Sequence, residues 1–93
     1  MKSRIHRTKE CFVCGTTYNI HEHHVFFGRS NRSLSEKYGM KVYLCGYHHN
    51  LSNEGVHNNK ELDDQLKVMA QEVFEKECGS REDFRSIFGK SYL

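Results

Sequence analysis

The sequence has little of the apolar material on which a small domain relies. It contains no tryptophan, and hydrophobic residues make up only 37% of its 93 residues. Burial alone would stabilise such a chain only marginally, and small domains often add a metal ion or disulfides. No repeat, low-complexity segment or shift in composition marks a linker. We therefore expect one domain that needs a cross-link of one of these two kinds.

The start of the chain has no long apolar segment. Its first ten residues, MKSRIHRTKE, are charged rather than membrane-like, so neither a signal or membrane segment there nor membrane association is expected. We therefore expect a cytoplasmic protein whose thiols stay reduced. Under those conditions four cysteines together with seven histidines predict a metal site before disulfides.

The net charge is low, at +2, but the charged residues are unevenly distributed. Residues 1–41 contain eight Lys and Arg against three Glu, whereas residues 42–93 contain six against nine acidic residues. A basic front half fits a surface that faces nucleic acid, because Lys and Arg displace counterions from phosphates. A solvated surface with a basic tail over residues 1–10 explains the charge equally well.

Periodicity and capping residues predict two strands and three helices. Strands are expected at 18–27 and at 40–44, where Met40, Val42 and Leu44 alternate inward. The middle helix is amphipathic, and its apolar face is expected to be plain core. Each helix begins at a capping pattern and ends at a glycine: Ser33 with Glu36 to Gly39, Asn58 with Glu61 to Gly79, and Ser80 with Asp83 to Gly89.

Two short motifs have the spacing of metal-binding turns. Cys11 and Cys14 form C-x2-C, followed by a glycine that permits a tight turn, and Cys45 with His48 forms C-x2-H about thirty residues later. Structural zinc takes four such ligands, and two turns from distant segments would provide the missing cross-link. Cys78 lies outside both motifs and is predicted to be a packed thiol.

Histidines crowd around these motifs beyond what one zinc ion needs. His21, His23 and His24 fall in four positions of a predicted strand, and His49 and His57 follow the second turn. Alternate residues of a strand share a face, so His21 and His23 point one way and His24 the other unless the strand ends there. Adjacent histidines at a strand end can therefore do different work, one binding a metal ion and the other contacting substrate.

The combination of motifs resembles the HNH endonucleases, which have a ββα-metal fold. The segments EHHVFFGRSNRSLSEKYGMKVYLC, GVHNNKELD and FRSIFGKSYL are similar to small HNH-like proteins of phages and prophages, akin to the phage recombination-enhancement nucleases. The resemblance covers nearly the whole chain. It implies a phage- or prophage-encoded DNA endonuclease in a bacterial host cell, with a recombination or packaging protein of phage or host as a further partner.

The resemblance also assigns roles to individual residues. His23 matches a ligand of the catalytic divalent ion, which is Mg²⁺ or another divalent ion, and His24 matches the general base. The remaining ligands of that ion are expected among His49, His57 and, as an alternative, Asn53. The structural zinc set implied is Cys11, Cys14, Cys45 and His48, with histidine at a position where many relatives have cysteine.

An α+β domain follows from these expectations. A two-stranded antiparallel ribbon and a short helix surround the active site within residues 11–58, with the zinc turns behind them and two helices across them in residues 59–93. Arg29 and Arg32, just beyond the first strand, are candidates for binding DNA phosphates. The alternative function is a zinc-knuckle module that binds nucleic acid without cutting it.

Overall fold

Two antiparallel strands, β1 (Ile20–His24) and β2 (Lys41–Cys45), form the centre of the domain. In this computed structural model, which describes residues 3–51 and 55–93, the register pairs Ile20 with Cys45 and His24 with Lys41. The ribbon therefore places the histidines of β1 directly beside the strand that ends in a predicted zinc ligand. The architecture is α+β, as expected from the sequence.

The first strand is shorter than the predicted range 18–27. Asn19 has a left-handed backbone with φ of 52°, which interrupts extended structure before Ile20. At the other end, the backbone of Phe26 bonds to the Ser35 hydroxyl, with N–H···Oγ at 3.1 Å and Oγ–H···O at 2.6 Å. The chain thus leaves the ribbon because a side chain takes the place of a strand partner.

Within the described part of the chain, three helices and one π-helical turn complete the fold. They are α1 (Asn31–Tyr38), a π-helical turn (Tyr47–Leu51), α2 (Lys60–Glu77) and α3 (Arg81–Phe88). The capping box predicted for α3 is present, with Ser80 and Asp83 each bonding the other's backbone N–H, and Gly89 ends the helix with φ of 95°. The predicted cap at Ser33 is wrong, because α1 begins two residues earlier after Ser30 and has no side-chain cap.

The helix α2 begins one residue later than predicted. The side chain of Asn59, rather than Asn58, accepts a hydrogen bond from the Leu62 N–H at 3.2 Å. The C-terminal cap is Cys78 rather than Gly79, since the Cys78 N–H bonds the Phe74 carbonyl at 2.7 Å. Both differences are a single position, which is the precision that local capping patterns allow.

The core lies between the ribbon and the C-terminal helices. Met40, Val42 and Leu44 are buried, as their alternation in β2 predicts. Aromatic rings fill the space between α1, α2 and α3, with Phe88 ring centroids 4.7 Å from those of both Phe26 and Phe84. Such pairs add stability beyond the area that they bury. Among the described helices, none is long and apolar enough to cross a membrane.

The N-terminal segment differs from the basic tail predicted over residues 1–10. From Ser3 onward it packs on the domain: the Ser3 hydroxyl donates to the Lys41 carbonyl, and the Arg4 N–H donates to the Gly39 carbonyl at 2.8 Å. The Arg4 side chain bonds the Tyr38 carbonyl at 3.0 Å. These contacts satisfy backbone acceptors at the junction of α1 and β2, so the segment is part of the fold.

Candidate metal centres and active site

Cys11, Cys14, Cys45 and His48 come together at one end of the ribbon and could hold a metal ion such as zinc. Their ligand atoms all lie within 4.8 Å of one another. The first pair sits in a tight turn in which the Gly15 N–H bonds the Cys11 carbonyl at 2.8 Å and Gly15 has φ of 77°. The second pair straddles the end of β2 and the start of the π-helical turn.

The separations within this cluster match a zinc tetrahedron. Zn–S bonds of about 2.3 Å and Zn–N bonds of about 2.0–2.1 Å give S···S edges of about 3.8 Å and S···N edges of about 3.6 Å. The sulfurs of Cys14 and Cys45 are 3.8 Å apart, and His48 Nδ1 is 3.6 Å from the Cys11 sulfur and 3.3 Å from the Cys45 sulfur. Four protein ligands close such a site, which is the arrangement of structural zinc.

The electrostatics of Cys11 favour the thiolate that a metal ion requires. Burial by itself raises the pKa of this thiol. Backbone N–H groups of Cys45, Cys14 and Val13 nevertheless hydrogen-bond the sulfur, so its pKa falls to about 6. A thiolate that is already present at neutral pH binds a metal ion without first losing a proton.

His23, His49 and His57 form a second cluster on the other side of the π-helical turn. Their ligand nitrogens also lie within 4.8 Å of one another, and the Nε2 atoms of His49 and His57 are 3.2 Å apart. Two nitrogens bound at about 2.1 Å to one ion, at an angle of 90–110°, are about 3.0–3.4 Å apart. Nε2 of His23 is buried and has no hydrogen-bond partner within the protein. A buried nitrogen without a partner, in a ring that lies beside two other imidazoles, is what an ion site requires.

Backbone hydrogen bonds explain how His57 reaches His49 across eight residues. The Val56 N–H bonds the His48 carbonyl at 2.8 Å, and the His57 N–H bonds the His49 carbonyl at 3.3 Å. The chain therefore returns onto the π-helical turn and sets the two imidazoles side by side. Asn53, the alternative ligand in the sequence prediction, lies outside the described residues.

The environment keeps these imidazoles available as ligands. Burial, followed by the nearby His49 and His57, lowers the pKa of His23 to about 3. Burial and the neighbouring His57 and His21 lower the pKa of His49 to about 4. Both rings are neutral at physiological pH and offer a lone pair. Imidazole-only sites suit zinc, nickel, iron and copper, whereas Mg²⁺ prefers oxygen ligands, so this site fits a transition-metal ion better than the Mg²⁺ named first from the sequence.

His24 lies next to this cluster but is not among its three members. It lines a cavity of about 220 Å³ together with the three imidazoles, Glu22, Phe27 and Arg32. Burial lowers the pKa of His24, against the raising effect of the Glu36 carboxylate. The neutral ring therefore predominates at pH 7, and it lines the same cavity as the three imidazoles. Arg29 does not line the cavity, so of the two predicted phosphate contacts only Arg32 is at the site.

Glu22, next to the histidine pair, is a sequence candidate for orienting one of its rings, but sequence reasoning missed Glu36 and Lys41 on the far side of His24. Nitrogen or oxygen atoms of Glu22, His24 and Glu36 lie within 4.8 Å of one another, and Lys41 Nζ lies 3.4 Å from Glu22 and 2.5 Å from Glu36. The Lys41 side chain is only 6% exposed. Strand alternation places Glu22 and His24 on one face, but Glu36 arrives from α1 and no local pattern could have placed it there.

Searches against protein-family models, characterised proteins and solved structures find no match for this chain. Its own residues must therefore support any functional assignment. A larger groove, of about 570 Å³, runs along α2, but it contains no histidine and no metal-ligand cluster. The cavity of the three imidazoles and His24 is the site with chemistry to explain.

The three-imidazole set makes a testable prediction about ion binding. We expect His57→Ala to weaken binding of Co²⁺ to zinc-loaded protein by about 10-fold or more, because one of three ligands is lost, while the zinc and helix content stay unchanged. Calorimetric titration and circular dichroism measure the two quantities. His6→Gln, which changes a histidine outside both clusters, is the matched control. Unchanged Co²⁺ affinity in His57→Ala would transfer the ligand role to another residue.

Proposed function

We propose that the protein is a DNA endonuclease that hydrolyses phosphodiester bonds with the aid of a divalent ion and a histidine base. The observation that carries this proposal is one small cavity that contains the three clustered imidazoles and a fourth imidazole, His24, that is outside their cluster. Hydrolysis of a phosphodiester needs both a proton acceptor for the attacking water and positive charge near the phosphate. The cavity offers both.

The proposal assigns different tasks to the two metal centres. The Cys3His cluster, with four protein ligands, has no vacant position and stabilises the fold. His23, His49 and His57 would supply three protein ligands to a second ion, which is the number that catalytic sites use. When bound there, a divalent ion acts as a Lewis acid that stabilises charge on the phosphate and on the leaving oxygen.

His24 accepts the proton of the attacking water in this proposal. Its pKa is lowered by burial, so the neutral ring predominates at pH 7 and has a lone pair to offer. After proton transfer, the carboxylates of Glu22 and Glu36, which lie close to the ring, stabilise the imidazolium. Lys41 in turn pairs with both carboxylates, and its hydrogen bond lowers the pKa of Glu36.

The test is incubation of purified protein with supercoiled and single-stranded DNA. We expect cleavage with Mn²⁺, Co²⁺ or Zn²⁺, less with Mg²⁺, and none with EDTA. Zinc-loaded His24→Ala is the control for a contaminating nuclease. A protein that binds both ions and DNA but cuts neither substrate with any of these ions would contradict the proposal and support the binding-only alternative.

Arg32 and Arg29 form a natural matched pair for the DNA contact. Arg32 lines the cavity and Arg29 does not, although both are exposed cations, Arg29 just before α1 and Arg32 in its first turn. We expect Arg32→Gln to weaken DNA binding and to reduce the slope of log K against log salt by about 1, the loss of one phosphate contact, and Arg29→Gln to have a smaller effect. Fluorescence anisotropy over a salt series measures both. Equal effects would place the phosphate contact outside the cavity.

A further inference from the structure

A chain of hydrogen bonds leads from the surface to one of the candidate ion ligands. His21 Nδ1 lies 2.9 Å from His49 Nδ1, and His21 Nε2 lies 3.2 Å from the Asn19 side-chain oxygen. Nε2 of His49, on the far side of its ring, is the atom that faces His57. His21 therefore contacts a ligand without being one, and neither the zinc cluster nor the base uses it.

The order of donors and acceptors along this chain follows from Asn19. Its Oδ1 can only accept, so His21 must carry its proton on Nε2 and present a lone pair at Nδ1. Because a hydrogen bond between two imidazoles needs one proton, His49 must then donate from Nδ1. A neutral His49 protonated at Nδ1 has its lone pair on Nε2, the atom that faces the ion site.

The backbone holds the first member of this chain in place. Asn19 has φ of 52°, in the left-handed region that Asn tolerates better than most residues. Its carbonyl accepts a hydrogen bond from the Gly46 N–H at 3.0 Å, just before the π-helical turn that contains His49. Asn19, His21 and His49 are thus tied together through both backbone and side chains across the ribbon.

We propose that His21 is a positioning residue that fixes the ring orientation and the tautomer of His49. The inference rests on the ion site of the proposed function but not on DNA cleavage. Partners that hydrogen-bond the second nitrogen of a metal-binding histidine orient the ring, and their loss costs about 10–100-fold in metal affinity. The same loss is expected here when His21 can no longer accept the His49 proton.

The first experiment reads the tautomer directly. Long-range ¹H–¹⁵N spectra of the histidine rings, recorded on zinc-loaded protein without a second ion, distinguish a proton on Nδ1 from one on Nε2. We expect His49 to carry its proton on Nδ1 in the wild type and to shift towards the Nε2 form in His21→Leu. A wild-type His49 protonated on Nε2 would overturn the proposal.

The second experiment measures ion affinity with Co²⁺ by calorimetry. We expect His21→Leu to bind about 10–100-fold more weakly, and His21→Gln to recover much of the loss, because its amide oxygen can accept from His49 while its amide nitrogen donates to Asn19. His6→Gln is again the control. Wild-type affinity in His21→Leu, or equal losses in the Leu and Gln variants with an unchanged His49 tautomer, would overturn the proposal. Because both measurements need no DNA, a failure of cleavage would leave them interpretable.

Discussion

Cys45→Ser is expected to unfold the domain. Cys45 is buried at the end of β2, and its sulfur lies 3.8 Å from that of Cys14 and 3.3 Å from His48 Nδ1. Structural zinc contributes roughly 10–16 kcal/mol in small peptides, whereas whole domains are stable by only about 5–15 kcal/mol. Loss of one ligand from a closed four-ligand site therefore removes more stability than this small core can spare.

Zinc content and thermal unfolding followed by circular dichroism measure this effect. Cys78→Ser is the matched control, because Cys78 is a partly buried cysteine outside the zinc cluster, and it should retain zinc and fold. Cys14→Ser should behave like Cys45→Ser, although Cys14 is exposed, if the ion rather than packing is responsible. A stable, zinc-free, folded Cys45→Ser protein would show that the four residues do not form a structural zinc site.

His24→Ala is expected to reduce the single-turnover rate of DNA cleavage by about 10²–10⁴, the usual contribution of a general base. The ring is not one of the three clustered ligands, so the variant should bind Co²⁺ and DNA as the wild type does. Single-turnover cleavage assays and Co²⁺ titration separate the two effects. Wild-type cleavage by His24→Ala would end its assignment as the base.

His23→Ala provides the contrast on the adjacent residue. His23 is buried, and its Nε2 has no partner within the protein. Removal of the His23 ring should therefore weaken binding of the divalent ion, and excess ion should partly restore cleavage. The zinc should be retained in both variants, because neither His23 nor His24 belongs to the Cys3His cluster. Identical defects in the two variants, with the same response to added ion, would contradict separate roles for the two histidines.

Local patterns in the sequence account for much of the fold. Ser80 and Asp83 form the predicted capping box, the glycines after α1 and α3 adopt the left-handed conformation, and the alternating residues of β2 are buried. The caps depend on interactions within about four residues, and the inward face of β2 follows from the two-residue repeat of a strand. The wrong prediction at Ser33 also concerns a local pattern. Ser33 has the spacing of a cap, but α1 begins earlier, because tertiary packing outweighs a cap of about 1 kcal/mol.

For the candidate site, too, the sequence predicts some features and only the tertiary structure decides others. The spacing of the cysteine motifs is enough to nominate the Cys3His set, and the alternation of β1 indicates the different orientations of His23 and His24. The ligand set of His23, His49 and His57 is expected only from the resemblance to HNH endonucleases. The register of β1 against β2, the return of residues 56 and 57 onto the π-helical turn, and the approach of Glu36 to His24 came from the folded chain. The contact between His21 and His49, which are 28 positions apart in the sequence, also came from the folded chain. Contacts over such distances depend on how whole elements pack, and no spacing rule along the chain encodes them.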